Sequence, residues 1–288
     1  MRIGVVGDPH GGWGPKDLQY FDQSTYDLVL ITGDLGGGTE RSAIEVARSL
    51  GRMGKPTLVM LGNNDAECAP SIAAEIQHQR GLAALGTIGS GGFDRFGGVD
   101  GPRLCGYSSH NLDRFVPGLS LIAGRPFACG GDHFSYPERL AELYNVHSFR
   151  ESEERLCGLV RICPGDKLIF LAHNGPNGLG DGPADIWGRD FGGGVGDHGD
   201  SDLTTAIDYA HSLGKKVLAV VGGHMHLRTR TGEERPVFAE RNGVLFVNAA
   251  RVPRVLESAQ GSVRHHVALD IDPAGLGASA NELFIPEG

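Results

Sequence analysis

Seven oxygen and nitrogen donors recur just past the ends of apolar, β-branched runs in this chain. Asp8 and His10 follow residues 3–6 in GDPHGG, Asp34 follows 28–31 in TGDLGG, and Asn63 follows 58–61 in LGNND. His173 follows 167–172 in LAHNGP, and His224 and His226 follow 217–221 in GGHMH. Carboxylate, imidazole and amide groups in such a mixture bind cations of hard to intermediate character. Seven donors are too many for one four-coordinate zinc site. They suit two ions that share a bridging carboxylate and keep positions open for water and substrate. The imidazole share suits Mn²⁺, with Fe or Zn²⁺ as alternatives, and disfavours Mg²⁺. In Asp8-x-His10 and His224-x-His226 an extended backbone puts both side chains on one face. The neighbouring Gly7, Gly33, Gly62, Gly222 and Gly223 are expected to let the chain turn sharply beside the donors.

Elements must exist to bring these groups together. The five runs read as buried strands, apolar on both faces. Helical patterns lie between them at 39–53, 71–79, 137–144, 151–162 and 202–213, the last capped by Asp200 or Ser201. Strand–helix alternation indicates a layered α/β architecture, in which the carboxyl ends of parallel strands converge on a crevice. The last quarter reads as sheet: GVLFVNAARVPRVL and VRHHVALDID predict antiparallel strands completing a second sheet. No linker divides the chain, so residues 1–288 are expected to form one domain. Glycine-rich loops are expected near 86–101 and 178–199.

Composition narrows the classes. The chain has 288 residues, 40% hydrophobic and 21% charged, as soluble globular proteins have. A net charge of -9 offers no nucleic-acid footprint and no attraction to an anionic membrane. Five cysteines without paired spacing fit a reducing compartment. The N-terminus reads as a strand rather than a signal peptide, and no apolar segment reaches transmembrane length. The expectation is a soluble cytoplasmic protein.

The order GDPHG, GDL, GNND, H, GHMH resembles the calcineurin-like metallophosphoesterase superfamily, across residues 8–226. That resemblance implies a four-layer sandwich of two mixed β-sheets flanked by helices. It implies two divalent metals. Asp8, His10 and His226 would be ligands of the first, Asn63, His173 and His224 of the second, and Asp34 the bridge. It implies hydrolysis of a phosphate-ester substrate by a metal-activated hydroxide. The departure is Asn64, which stands where the superfamily has a histidine near the leaving-group oxygen. An amide donates a hydrogen bond but protonates nothing at neutral pH. The expected substrate is therefore a phosphodiester or activated ester. A protein or small-molecule phosphomonoester is the alternative, and a non-catalytic scaffold is the alternative of another class. Asp65 is expected to orient the Asn64 amide.

The loop at 178–199 supplies further candidates. His198 is a surrogate acid or phosphate ligand, or else a plain loop histidine. Arg189 is a bidentate phosphate contact, and Asp185, Trp187 and Asp190 shape the pocket. Arg228 and Arg230, in a turn at 228–235, could steer an anionic substrate. His265 and His266 alternate on a strand and are not a metal pair. The cysteines read as small buried hydrophobes.

Overall fold

A computed structural model describes residues 1–80, 93–95, 101–192, 196–258 and 261–286. Most of the expected loop at 86–101, and 193–195 of the second loop, lie outside the described residues. The chain runs β1 (Arg2–Val6), α1 (Pro15–Gln23), β2 (Leu28–Ile31), α2 (Glu40–Leu50), β3 (Thr57–Met60), α3 (Ala69–Arg80), β4 (Phe93–Arg95), β5 (Pro102–Cys105), β6 (Ser108–Asn111) and β7 (Leu119–Ala123). It continues through α4 (Pro137–Tyr144), α5 (Phe149–Ile162), β8 (Lys167–Leu171), β9 (Gly188–Arg189), β10 (Gly196–Asp197), α6 (Ser201–Ser212) and β11 (Lys216–Gly222). It closes with β12 (Phe238–Arg241), β13 (Val244–Asn248), β14 (Val255–Ser258), β15 (Gly261–Ile271) and β16 (Ala278–Pro286).

Two seven-stranded mixed sheets result. One has the order β14-β15-β1-β2-β3-β5, with β16 on the outer side of β15; the other has the order β12-β13-β11-β8-β7-β6-β4. Alternation along the buried strands sorts side chains into two cores. Ile3, Val5, Leu28, Leu30 and Leu58 meet Leu121, Ile169, Leu171 and Val221 between the sheets. Val29, Ile31 and Val59 turn outward onto α2 and α3 through Val46, Leu50 and Ile72. Leu168, Phe170 and Val220 turn outward onto α5 and α6 through Leu156, Leu159 and Ala206. Both faces of each central strand are thus covered, which is why those runs are continuously apolar.

The last quarter differs from the sequence expectation. β13 pairs parallel with β11, Ala219 opposite Leu245, and belongs to the second sheet. β15 instead closes the first sheet, antiparallel to β1 with Arg2 opposite Asp270. Strand direction depends on where the chain re-enters a sheet, and local pattern does not carry that. The α6 cap also differs. Asp200 stands at the cap position without a side-chain capping bond. Its carboxylate pairs with the buried Arg125, which also holds Asp202 at 2.8 Å. No helix among the described residues is long and apolar enough to cross a membrane.

Candidate metal centre

β1, β2 and β3 of one sheet and β8 and β11 of the other end at one edge, and their following residues meet there. The side chains of Asp8, His10 and His226 offer donor atoms all within 4.8 Å of one another, as do those of Asp34, His173 and His224. Asn63 joins the second group, its Oδ1 2.9 Å from His173 Nε2. Asp34 stands between the groups: Oδ2 lies 3.6 Å from His10 Nε2, and Oδ1 lies 3.5 Å from His173 Nε2.

The backbone is strained to achieve this. Asp8, His10, Asp34 and His224 have φ of 39°, 43°, 54° and 64°. Left-handed backbone costs a non-glycine residue roughly 1–2 kcal/mol, so four such residues at one locus mark a place shaped for something other than stability. This corrects the expected role of the glycines. Gly33, at φ 113°, makes a turn that favours glycine. Gly62 and Gly223 instead permit close approach, since a Cβ would strike the carboxylates of Asp34 and Asp8 respectively. The loops are tied across the edge by His10 N–H to the Asp34 carbonyl at 2.9 Å and Gly223 N–H to the His173 carbonyl at 2.6 Å.

Three imidazoles have one nitrogen held by a main-chain carbonyl. His173 Nδ1 meets the Thr32 carbonyl at 2.8 Å, His224 Nε2 the Cys129 carbonyl at 3.1 Å, and His10 Nδ1 the Gly36 carbonyl at 3.3 Å. A carbonyl only accepts, so the proton sits on that nitrogen and the other nitrogen presents a lone pair to the centre. The consequence at His173 is acceptor facing acceptor. His173 Nε2 faces the oxygens of Asn63 and Asp34. His10 Nε2 faces His226 Nε2 at 3.2 Å. A cation placed between these groups satisfies all of these lone pairs at once.

Electrostatics agrees. Burial, reinforced by the Asp34 charge, pushes the Asp8 carboxyl well above the usual range. The same causes take Asp65 to about 7. Burial pulls His224 down to about 3, with His173 adding to it, and pulls His226 to about 4, with His10 adding to it. Burial also works to raise Asp34, but His173, the Asn64 N–H and His10 outweigh it and leave that carboxyl low. Among the described residues, the charged-group contacts of these carboxylates and imidazoles are with one another. This donor set fits divalent cations.

Asn64 and Asp65 take parts the sequence did not foresee. Asn64 donates twice to Asp34, from N to Oδ1 at 2.9 Å and from Nδ2 to Oδ2 at 2.6 Å. Asp65 does not orient that amide. Its buried carboxylate accepts from Leu35 N at 3.0 Å and Gly62 N at 2.9 Å, clamping the Asp34 loop to the Asn63 loop. Replacing Asp65 with alanine leaves two buried N–H groups unpaired. Removal of a buried charge near Asp34 offsets only part of that. The expected result is a loss of about 2 kcal/mol in denaturant unfolding.

Above the cluster opens a cleft of about 300 Å³. Asp34, Asn63, Asn64, His224 and His226 line one part of it, and Asp190, Phe191, Arg228, Arg230 and Arg235 another. Trp187, Arg189 and His198 are not among its lining residues, and burial corrects the expectation for Trp187. Trp187 is 1% exposed, with its indole pressed on Gly175 and its Nε1 donating to the Gly223 carbonyl at 3.3 Å. It supports the ligand loop from beneath and cannot touch substrate. Arg189 sits in β9, paired with Gly196. His198 lies against Gly131 and Phe191. Burial, then the charge of Arg189, lowers its pKa. It is a half-buried loop histidine whose charge also contributes to the lowering of His224. His265 and His266 pair with Glu282 and Tyr26, away from the centre. Asn248 was missed, although it too stands at a strand end. Its buried amide donates to the carbonyls of Met225 at 2.7 Å and Ile186 at 3.0 Å.

Two sheets thus bring donors of both to one edge, where they form two candidate metal-binding groups. The family model for calcineurin-like phosphoesterases matches residues 1–228, and the chain belongs to that family. The family implies a dinuclear divalent metal centre. Comparison with curated proteins gives no match. Among solved structures, one crystal structure is similar at 12% identity and a TM-score of 0.58, over 98% of each chain. A 5'-nucleotidase precursor from Thermus thermophilus is similar at 13% identity and a TM-score of 0.49. That match covers 99% of this chain and 54% of the other.

Proposed function

We propose that this chain hydrolyses a phosphodiester, or an ester with an activated leaving group, with two divalent cations that its donor set suits as Mn²⁺. The observation that carries the reading is the inward row of lone pairs, with each Asp34 oxygen facing a different imidazole group. Asp8, His10 and His226 would hold one ion, Asn63, His173 and His224 the other, and Asp34 both. When bound, the ions supply charge neutralisation at phosphorus and activation of water at neutral pH. The chain's own part is orientation. The Thr32, Gly36 and Cys129 carbonyls fix the imidazole tautomers. Thr32 Oγ1 and His224 N donate to Asp8 at 3.0 and 2.9 Å and hold that carboxylate toward the centre.

The substrate preference follows from Asn64. It lines the cleft, and its amide offers the leaving oxygen no proton. Good leaving groups need none, whereas an alkoxide departing from a monoester does. The test is the Mn²⁺-reconstituted protein on bis-p-nitrophenyl phosphate, p-nitrophenyl phosphate and glycerol phosphate. Turnover of an aryl substrate is expected to exceed that of the alkyl monoester by on the order of 10²-fold or more. A preference for glycerol phosphate rejects this reading, and a protein that retains no metal and turns over nothing would instead be a scaffold.

A further inference from the structure

Two guanidinium groups border the cleft without a task in the donor cluster. Arg228 and Arg230 are exposed and line the cleft shared with Asn64 and His226. Thr229 between them is 4% exposed and donates its hydroxyl to the Glu233 carbonyl at 3.0 Å. In an extended segment a residue turned inward sends both its neighbours the other way. Burial of Thr229 therefore aims the two arginines outward together.

The segment is anchored to the centre itself. Arg230 N donates to Asp190 Oδ2 at 2.5 Å, and Asp190 Oδ1 accepts from Arg235 Nη2 at 2.8 Å. The buried Arg235 also donates to the His226 carbonyl at 2.6 Å and the Gly188 carbonyl at 2.9 Å. Asp190, the acid beside the pair, is thereby committed to Arg235. Among the described residues neither Arg228 nor Arg230 forms an ion pair. The Arg230 guanidinium lies over the Phe191 ring, 5.7 Å from its centroid, which limits its freedom.

We propose that Arg228 and Arg230 form a second anion site, which binds a phosphoryl group of the substrate other than the one cleaved. The preferred substrate then carries at least two phosphates. This rests on the phosphoester reading above and narrows it. Guanidinium matches phosphate through paired N–H donors, and an anchored segment loses little freedom on binding. Since the chain as a whole is acidic, with a net charge of -9, two unneutralised cations at this cleft favour anions only locally.

The experiment is calorimetric titration of the Mn²⁺-loaded full chain with thymidine 5′-monophosphate and with thymidine 3′,5′-bisphosphate. Both are alkyl monoesters, so they persist during titration. The bisphosphate is expected to bind about tenfold tighter, as one added charge-assisted contact gives, and the advantage should shrink as salt rises. In the Arg228→Gln/Arg230→Gln protein the advantage should vanish, with the bisphosphate falling to the affinity of the monophosphate. Equal affinity in the parent protein, an advantage that survives in the variant, or equal weakening of both ligands overturns the second site. Absence of binding by either ligand overturns the phosphoester reading with it.

Discussion

The Asp34→Asn protein is expected to lose on the order of 10³-fold in kcat/KM and to retain less metal, yet to unfold no more easily than the parent when both are metal-free. Asp34 is 2% exposed and lies among buried acids. Its charge contributes to the upward shifts of Asp8 and Asp65, second to burial in each case. An amide in its place removes that repulsion, which offsets the loss of the attraction to His173 and His10 and of the bond from Asn64 Nδ2. It can still accept from the Asn64 backbone, and its NH₂ can donate to an imidazole lone pair that had faced oxygen. What the amide cannot do is offer two anionic oxygens to two cations, one toward His10 and one toward His173. Metal content by mass spectrometry, turnover of bis-p-nitrophenyl phosphate and thermal unfolding in chelator check the three parts. Full activity with two retained ions would show that Asp34 does not bridge. A large fall in the metal-free melting temperature would show that the carboxylate serves stability instead.

The second large effect is a gain. Asn64→His should raise turnover of glycerol phosphate by on the order of 10²-fold while changing the bis-aryl diester little, because only the poor leaving group needs a proton. The backbone is already placed for it, since the Asn64 N–H to Asp34 bond survives any side chain. Loss of the Asn64 Nδ2 to Asp34 bond costs about 1 kcal/mol, too little to undo the fold. The pH profile of kcat should acquire a limb on its alkaline side as the new imidazolium deprotonates. An unchanged alkyl rate would mean that position 64 does not face the leaving oxygen, and the diester preference would lose its basis.

The donors were legible because each is a local event: an apolar run that must be buried, then a polar residue past its end. Five such events, carrying seven donors in an order that resembles one superfamily, are enough to predict the layered sheets and a shared edge. Asn248 follows the same rule at the end of β13 and escaped notice because no superfamily block contains it. The loop candidates failed for a different reason. A tryptophan in a glycine-rich loop reads as a pocket wall, but whether it faces a cleft depends on what packs over it. Here Gly175 and Gly222 leave room for the indole beneath the ligand loop.

The amino-acid sequence by itself determined which atoms are available to the centre and which strands carry them. Only the tertiary structure decided which nitrogen of His10, His173 and His224 faces inward. The deciding carbonyls come from Gly36, Thr32 and Cys129, which lie 26, 141 and 95 residues from the histidines they hold. It also decided that Asp65 clamps two loops and that Asp190 pairs with Arg235, leaving Arg228 and Arg230 without an acidic partner among the described residues. Composition and spacing report what a residue can do. Which of its hydrogen bonds and charges are already taken depends on neighbours brought in from elsewhere in the chain.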